Sequence, residues 1–107
     1  MAPRYVLLEV AGTRFHQEAL AKLKMSDPVQ LKREPLNPHD KNAIAVVGPG
    51  DEVLGYIPAI FAKEMAELID TGSEVPGLEV AKKRTALYGG QSFLTLTVTI
   101  TLKESMA

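Results

Sequence analysis

The chain has 107 residues, 46% of them hydrophobic and 23% charged, with 12 basic and 13 acidic side chains and a formal net charge of −1. That length supports one modest core, so a single domain over residues 1–107 is expected; the charge balance excludes a generic basic nucleic-acid coat but leaves room for a small cluster of cations. Cysteine is absent, which rules out a disulfide framework, a thiolate nucleophile and a cysteine-based zinc site, and no apolar run approaches the roughly 20 residues of a membrane helix. The N-terminal MAPRYVLLEV has neither the length nor the small-residue cleavage site of a secretory signal, and a cytoplasmic protein is expected.

In chain order, Tyr5 to Ala11 reads as a first strand, with Val6, Leu8 and Val10 on one face and Leu7 opposite. Apolar residues on both faces predict a central strand. Gly12 ends it, and Thr13, Arg14, Phe15 and His16 form a turn into a short helix in which Ala19, Leu20 and Leu23 recur at helical spacing. Ser26 to Pro28 breaks that helix before a second strand, where Val29, Leu31 and Arg33 share a face. Pro35 and Pro38 then bracket a polar loop. Each fixes its own φ, and Asn37, Asp40 and Asn42 can bond nearby backbone, so a well-defined loop is expected. Ala43 to Val47 is the apolar, β-branched run of a buried strand, and the turn Gly48 to Asp51 leads to Val53 to Ile57.

Pro58 stands where a helix starts, Gly72 where it stops, and Ala59 to Asp70 places Phe61, Met65, Leu68 and Ile69 on one face. From Val75 onward the chain reads as a long hairpin. Its first arm, Leu78 to Tyr88, contains the basic run Lys82-Lys83-Arg84; its turn is GlyGlyGlnSer. In the second arm, Phe93 to Lys103, Leu94, Leu96, Val98, Ile100 and Leu102 face one way and four threonines face the other, which places Phe93 on the threonine side. About six strands and one or two helices predict a mainly β fold with α, a small, partly closed β-barrel with helices at its ends.

Several residues carry candidate chemistry, each with a plain structural alternative. Phe15 can anchor the helix, or stand with Arg14 at a barrel rim beside a ligand. Asp40 can cap backbone N–H groups of its loop with His39 exposed, or both can face a partner. Lys32, Arg33 and Lys41 add positive charge near that loop, although Lys32 and Arg33 must point to opposite faces. Two histidines without zinc-like spacing make a metal-dependent hydrolase a weak reading, and no Gly-rich phosphate loop is present, so neither catalysis nor a cofactor is expected.

EVAGTRFH (9–16), REPLNPHDKNAIAV (33–46) and VLGYIP (53–58) together resemble the signature of the HIRAN domain, the N-terminal module of certain fork-remodelling DNA translocases. The resemblance implies an OB-like barrel that binds single-stranded DNA at a free 3′ end. It assigns Arg14 to a phosphate, Asp40 to the terminal 3′-hydroxyl, and Phe15, His16, His39 and Phe93 to positions of DNA-contacting aromatics, with Lys41 and Tyr56 beside them. This chain has Phe15 and His16 where many relatives carry two tyrosines, His39 where tyrosine is usual, and Ala59 where some have lysine. A carboxylate accepts a hydrogen bond from a hydroxyl and repels a phosphate, which gives Asp40 a physical basis for preferring a free 3′-hydroxyl. The function implied is DNA-end binding in repair or fork processing with a separate helicase or nuclease as partner. The alternative is a protein-interaction module that keeps the barrel and has lost DNA binding.

Overall fold

In the computed structural model of the protein, residues 4–72 and 74–104 are described, with the side chains of 4, 5, 74–76, 88 and 102–104 set aside; the placing of Leu102 on the apolar stripe therefore lies outside the described residues. The order of elements is β1 (Arg4–Glu9), a 3-10 turn (Thr13–Phe15), α1 (Gln17–Lys22), β2 (Gln30–Arg33), β3 (Ile44–Val47), β4 (Val53–Tyr56), α2 (Ala59–Asp70), β5 (Glu74–Tyr88) and β6 (Gln91–Glu104). The strands form two antiparallel three-stranded sheets, β1-β6-β5 and β2-β3-β4.

Of the expected partly closed barrel the six strands are present, but they lie in two separate sheets and no closed barrel is formed. A seam joins the sheets: past β1, Val10 N–H still donates to Leu96 O of β6 at 2.8 Å, and Ala11 makes an isolated antiparallel bridge to Tyr56, with both backbone hydrogen bonds in place at 2.8 and 2.9 Å. At the opposite edges, between β2 and β5, no ladder is present among the described residues. A gap of about 350 Å³ lies there instead, lined by Leu31, Arg33, Ile69 of α2 and Leu78.

Gly55 makes the seam possible. A Cβ there would fall 2.6 Å from the carbonyl oxygen of Ala11 and 2.5 Å from Cγ1 of Val10, so only a residue without a side chain lets the β1 extension approach β4 this closely. The core lies between the sheets and helices, and Leu20, Ile44, Leu54, Leu96 and Ile100 are its largest fully buried side chains. Each contributes ~1.5–3 kcal/mol by leaving water.

Two expectations are corrected. β1 is an edge strand and β6 the central one, so Leu7 on the outer face of β1 is 70% exposed rather than covered. On α2 the buried stripe is Ala62, Met65 and Ala66, with Ile69 packed partly against the core, while Phe61 stands 45% exposed. Small alanines let the helix backbone sit close to the core, which displaces the bulky Phe61 to the margin.

The β5–β6 hairpin turns through Gly89 and Gly90, both with positive φ, as a two-residue hairpin turn with this backbone twist requires. The threonines of β6 face outward and Leu96, Val98 and Ile100 face the core, as the alternation predicts. Thr95 is the exception in being buried on the threonine face, under the residues described next.

Candidate functional site

The first cluster grows from a backbone turn. Gly12 adopts φ 72°, which reverses the chain after the seam and starts the 3-10 turn, closed by Phe15 N–H to Gly12 O (3.1 Å) and His16 N–H to Thr13 O (2.9 Å). Thr13 is buried, whereas Arg14 and Phe15 project outward, Phe15 71% exposed, with the Arg14 guanidinium carbon 4.8 Å from the ring centroid. Gln17, the first residue of α1, holds this turn against a strand far along the chain. Its Nε2 donates to Thr13 O and Leu94 O, both at 2.9 Å, and its Oε1 accepts from Leu94 N–H at 2.7 Å. That clamp sets Phe93 beside the turn, and Arg14, Phe15, Phe93 and Thr95 line an open groove of about 460 Å³, with Glu9 as its one acid.

The second cluster is the loop between β2 and β3. Asn37 Oδ1 accepts from the N–H groups of His39 (2.8 Å) and Asp40 (3.2 Å), and Asp40 Oδ1 accepts from Asn42 N–H at 2.8 Å. The predicted side chain–backbone scaffold is thus present for Asn37 and Asp40. Asp40 Oδ2 has no hydrogen-bond partner among the described residues, the carboxylate interacts electrostatically with Arg33, and His39 and Lys41 are exposed. Arg33 ties the base of the loop to α2: Nε and Nη2 bind both carboxylate oxygens of Asp70 at 3.0 and 2.9 Å, and Nη1 donates to the carbonyls of Lys41 and Ala43. The hydrogen bond to Asp70 raises the Arg33 pKa, and the same bond lowers that of the Asp70 carboxyl. Arg33 is therefore a strut of the loop, and Lys32 pairs with Asp51 at 3.2 Å on the other face.

Tyr56 connects the clusters. Its backbone makes the bridge to Ala11, and its hydroxyl donates to Glu34 Oε1 at 3.0 Å, where Asn37 Nδ2 also donates at 2.9 Å. Burial, and then the Glu34 carboxylate, raise the phenol's pKa. The turn with Arg14 and Phe15 is thus linked through Ala11, Tyr56, Glu34 and Asn37 to the loop carrying His39 and Asp40.

Of the residues predicted for the site, Arg14, Phe15 and Phe93 share the groove, and His39, Asp40 and Lys41 share the loop. Tyr56 stands between them with its hydroxyl committed to Glu34, which makes it a positioning residue. His16 does not line the groove: it is half-buried at the junction of the 3-10 turn and α1, where its carbonyl accepts from Leu20 N–H. Gln17, Glu34 and Gly55 escaped the sequence reading. Among the described residues, no group of three or more His, Cys, Asp or Glu side chains is placed to hold a metal ion, and no helix is long and apolar enough to cross a membrane.

Comparison with known proteins adds the following. A family model described as the HIRAN domain matches residues 4–99. The Fanconi-associated nuclease 1 homolog of Oryza sativa subsp. japonica is 36% identical over 64 residues, which cover 57% of this chain and 6% of that protein. A putative SWI/SNF-related matrix-associated actin-dependent regulator of chromatin subfamily A member 3-like 1 from Arabidopsis thaliana is 31% identical over 67 residues, covering 63% of this chain and 7% of that protein. The chain thus spans only a small fraction of either curated relative. Among solved structures, the HIRAN domain of human HLTF superposes with a TM-score of 0.71 at 22% identity, covering 95% of this chain and 77% of that one. A protein from Lactobacillus plantarum does so with a TM-score of 0.59 at 25% identity, covering 95% and 100%.

Proposed function

The chain belongs to the HIRAN domain family, and on that premise we propose that it is a non-catalytic module binding single-stranded DNA at a free 3′-hydroxyl end. The observation that carries this reading is the seam: the Ala11–Tyr56 bridge and the hydrogen bonds from Tyr56 and Asn37 to Glu34 tie an exposed arginine–aromatic groove to a loop offering one carboxylate oxygen. Phe15 and Phe93 stack on bases, Arg14 meets a backbone phosphate, and Asp40 Oδ2 accepts the terminal hydroxyl, with His39 beside it. Asp40 Oδ1 is already held by Asn42 N–H, so the second oxygen is presented in a fixed direction without further ordering. A 3′-phosphate placed there meets a carboxylate and is repelled.

The whole chain acts as one domain in this reading. It marks DNA ends in repair or fork processing for a separate nuclease or helicase partner; of the two curated relatives, one is named as a nuclease and the other as a regulator of chromatin. The test is fluorescence anisotropy of labelled single strands ending in a 3′-hydroxyl or a 3′-phosphate. Wild type prefers the hydroxyl, Arg14→Ala weakens both ligands, and Asp40→Ala removes the preference. Absence of binding to any strand at low salt overturns the proposal in favour of a protein-interaction module.

A further inference from the structure

We propose that the β-bulge at Ala81 builds a phosphate-binding rail from Lys82 and Arg84, which takes up the single strand as it leaves the groove. This rests on the reading of the groove as a single-strand site. The bulge changes what the alternation of β5 would dictate. Leu78 and Val80 pair with Ile100 and Val98 on the core face, and uninterrupted period-two alternation would send Lys82 and Arg84 to that same face. The register shifts between Val80 and Lys82, leaving Ala81 as the extra residue. Beyond it Lys82 pairs with Thr97 and Arg84 with Thr95, on the outward threonine face, where both are exposed. Lys83 takes the inward position opposite Leu96 and is used structurally. Its Nζ donates to the carbonyls of Leu20 and Leu23 at 3.0 and 2.6 Å, closing the C-terminal end of α1.

The three consecutive cations are therefore divided by one inserted residue, one inward as a cap and two outward. The outward pair is continuous with the groove. Thr95, the partner of Arg84, lines it with Phe93, which stands on the same face opposite Ala86. Continuing the β1–β6 register two residues past Glu9–Thr97 sets Ala11 opposite Thr95, so Tyr56, Ala11, Thr95 and Arg84 fall in one row across the seam. At strand spacing that row spans ~14 Å from the Tyr56 backbone to the Arg84 backbone. The same face carries Glu9 opposite Thr97 and Glu79 opposite Thr99. These carboxylates repel phosphate, confine the track to the β5 side, and end it past Lys82. A single strand suits this face because its phosphates can follow two cations while its bases turn to the aromatic groove.

The test compares the full chain with Lys82→Ser/Arg84→Ser on two probes, a trinucleotide and a decanucleotide, both single-stranded with free 3′-hydroxyls, across a salt series. The double variant binds the trinucleotide like wild type, binds the decanucleotide about tenfold more weakly at low salt, and loses about 1.4 from the salt slope, close to 0.7 per phosphate contact in a single strand. A Lys83→Met variant removes one positive charge from the same run but lowers the melting temperature without changing the slope. Equal decanucleotide affinity and slope for wild type and the double variant would overturn the rail while leaving end recognition intact. Equal weakening on both probes would overturn it too, placing these cations in the end site itself. Failure of wild type to bind either probe would remove the end-binding reading and the rail together.

Discussion

The two halves of the candidate site are built by different means. The loop between β2 and β3 is held by a hydrogen-bonded scaffold: Asn37 holds two N–H groups, Asp40 a third, Glu34 receives Tyr56 and Asn37, and Arg33 braces the base against Asp70. The groove is the reverse. Its side chains Arg14 and Phe15 are exposed and lie against each other, and precision comes from beneath, through Gln17 gripping Leu94 and Gly55 admitting the seam. A preorganised acceptor beside adaptable stacking groups suits a ligand whose terminus is constant and whose bases vary. Mutations should therefore separate into those that remove the support under both halves and those that remove only a contact.

Gly55→Ala should have the largest effect, because the added methyl meets the Ala11 carbonyl and separates the halves; a loss of ~3 kcal/mol is expected in urea unfolding, with DNA binding reduced on both probes. Gln17→Ala removes three part-buried hydrogen bonds at one stroke and should cost ~2 kcal/mol, loosening the groove and sparing the preference for a 3′-hydroxyl over a 3′-phosphate. Phe15→Ala should be the converse. Its ring is exposed, so stability stays within ~0.5 kcal/mol, while binding measured by anisotropy weakens by ~1–3 kcal/mol through lost base stacking.

Tyr56→Phe probes the link, at ~1 kcal/mol. The folded phenol's pKa is raised, so its hydrogen bond stabilises the fold fully below the unfolded value of about 10 and is lost as pH rises through the higher folded value. The difference between wild type and variant in chemical denaturation should accordingly shrink above about pH 10. The smallest effect belongs to Asp70. Its folded pKa is lowered by Arg33, so its contribution is present above the unfolded value near 3.9 and lost as pH falls through the folded one. Asp70→Asn should flatten the acid side of the stability curve slightly, the carboxylate being half exposed to solvent.

The same contrast explains what could be read from the residues alone. The loop was legible because its determinants are local: two prolines, Asn37 and Asp40 bond within three positions of themselves. The span of α2 and the facing of Phe93 likewise follow from period and parity. The groove's supports act between residues far apart in sequence, 77 positions in the case of Gln17 and Leu94, and nothing near Gln17 announces the partner. The expectation of a partly closed barrel fell short for a related reason. Strand content was right, but closure depends on pairing between β2 and β5, which are far apart in sequence and form no ladder among the described residues. The bulge at Ala81 is invisible to alternation, which would have turned Lys82 and Arg84 inward.

That the two halves form one site is tested most directly by following backbone amides in an NMR titration with a single-stranded trinucleotide bearing a free 3′-hydroxyl. One joint site predicts that amides of residues 12–16, 37–42 and 93–95 shift together and yield a single dissociation constant. Shifts confined to one cluster, or two clusters saturating at different concentrations, would contradict it.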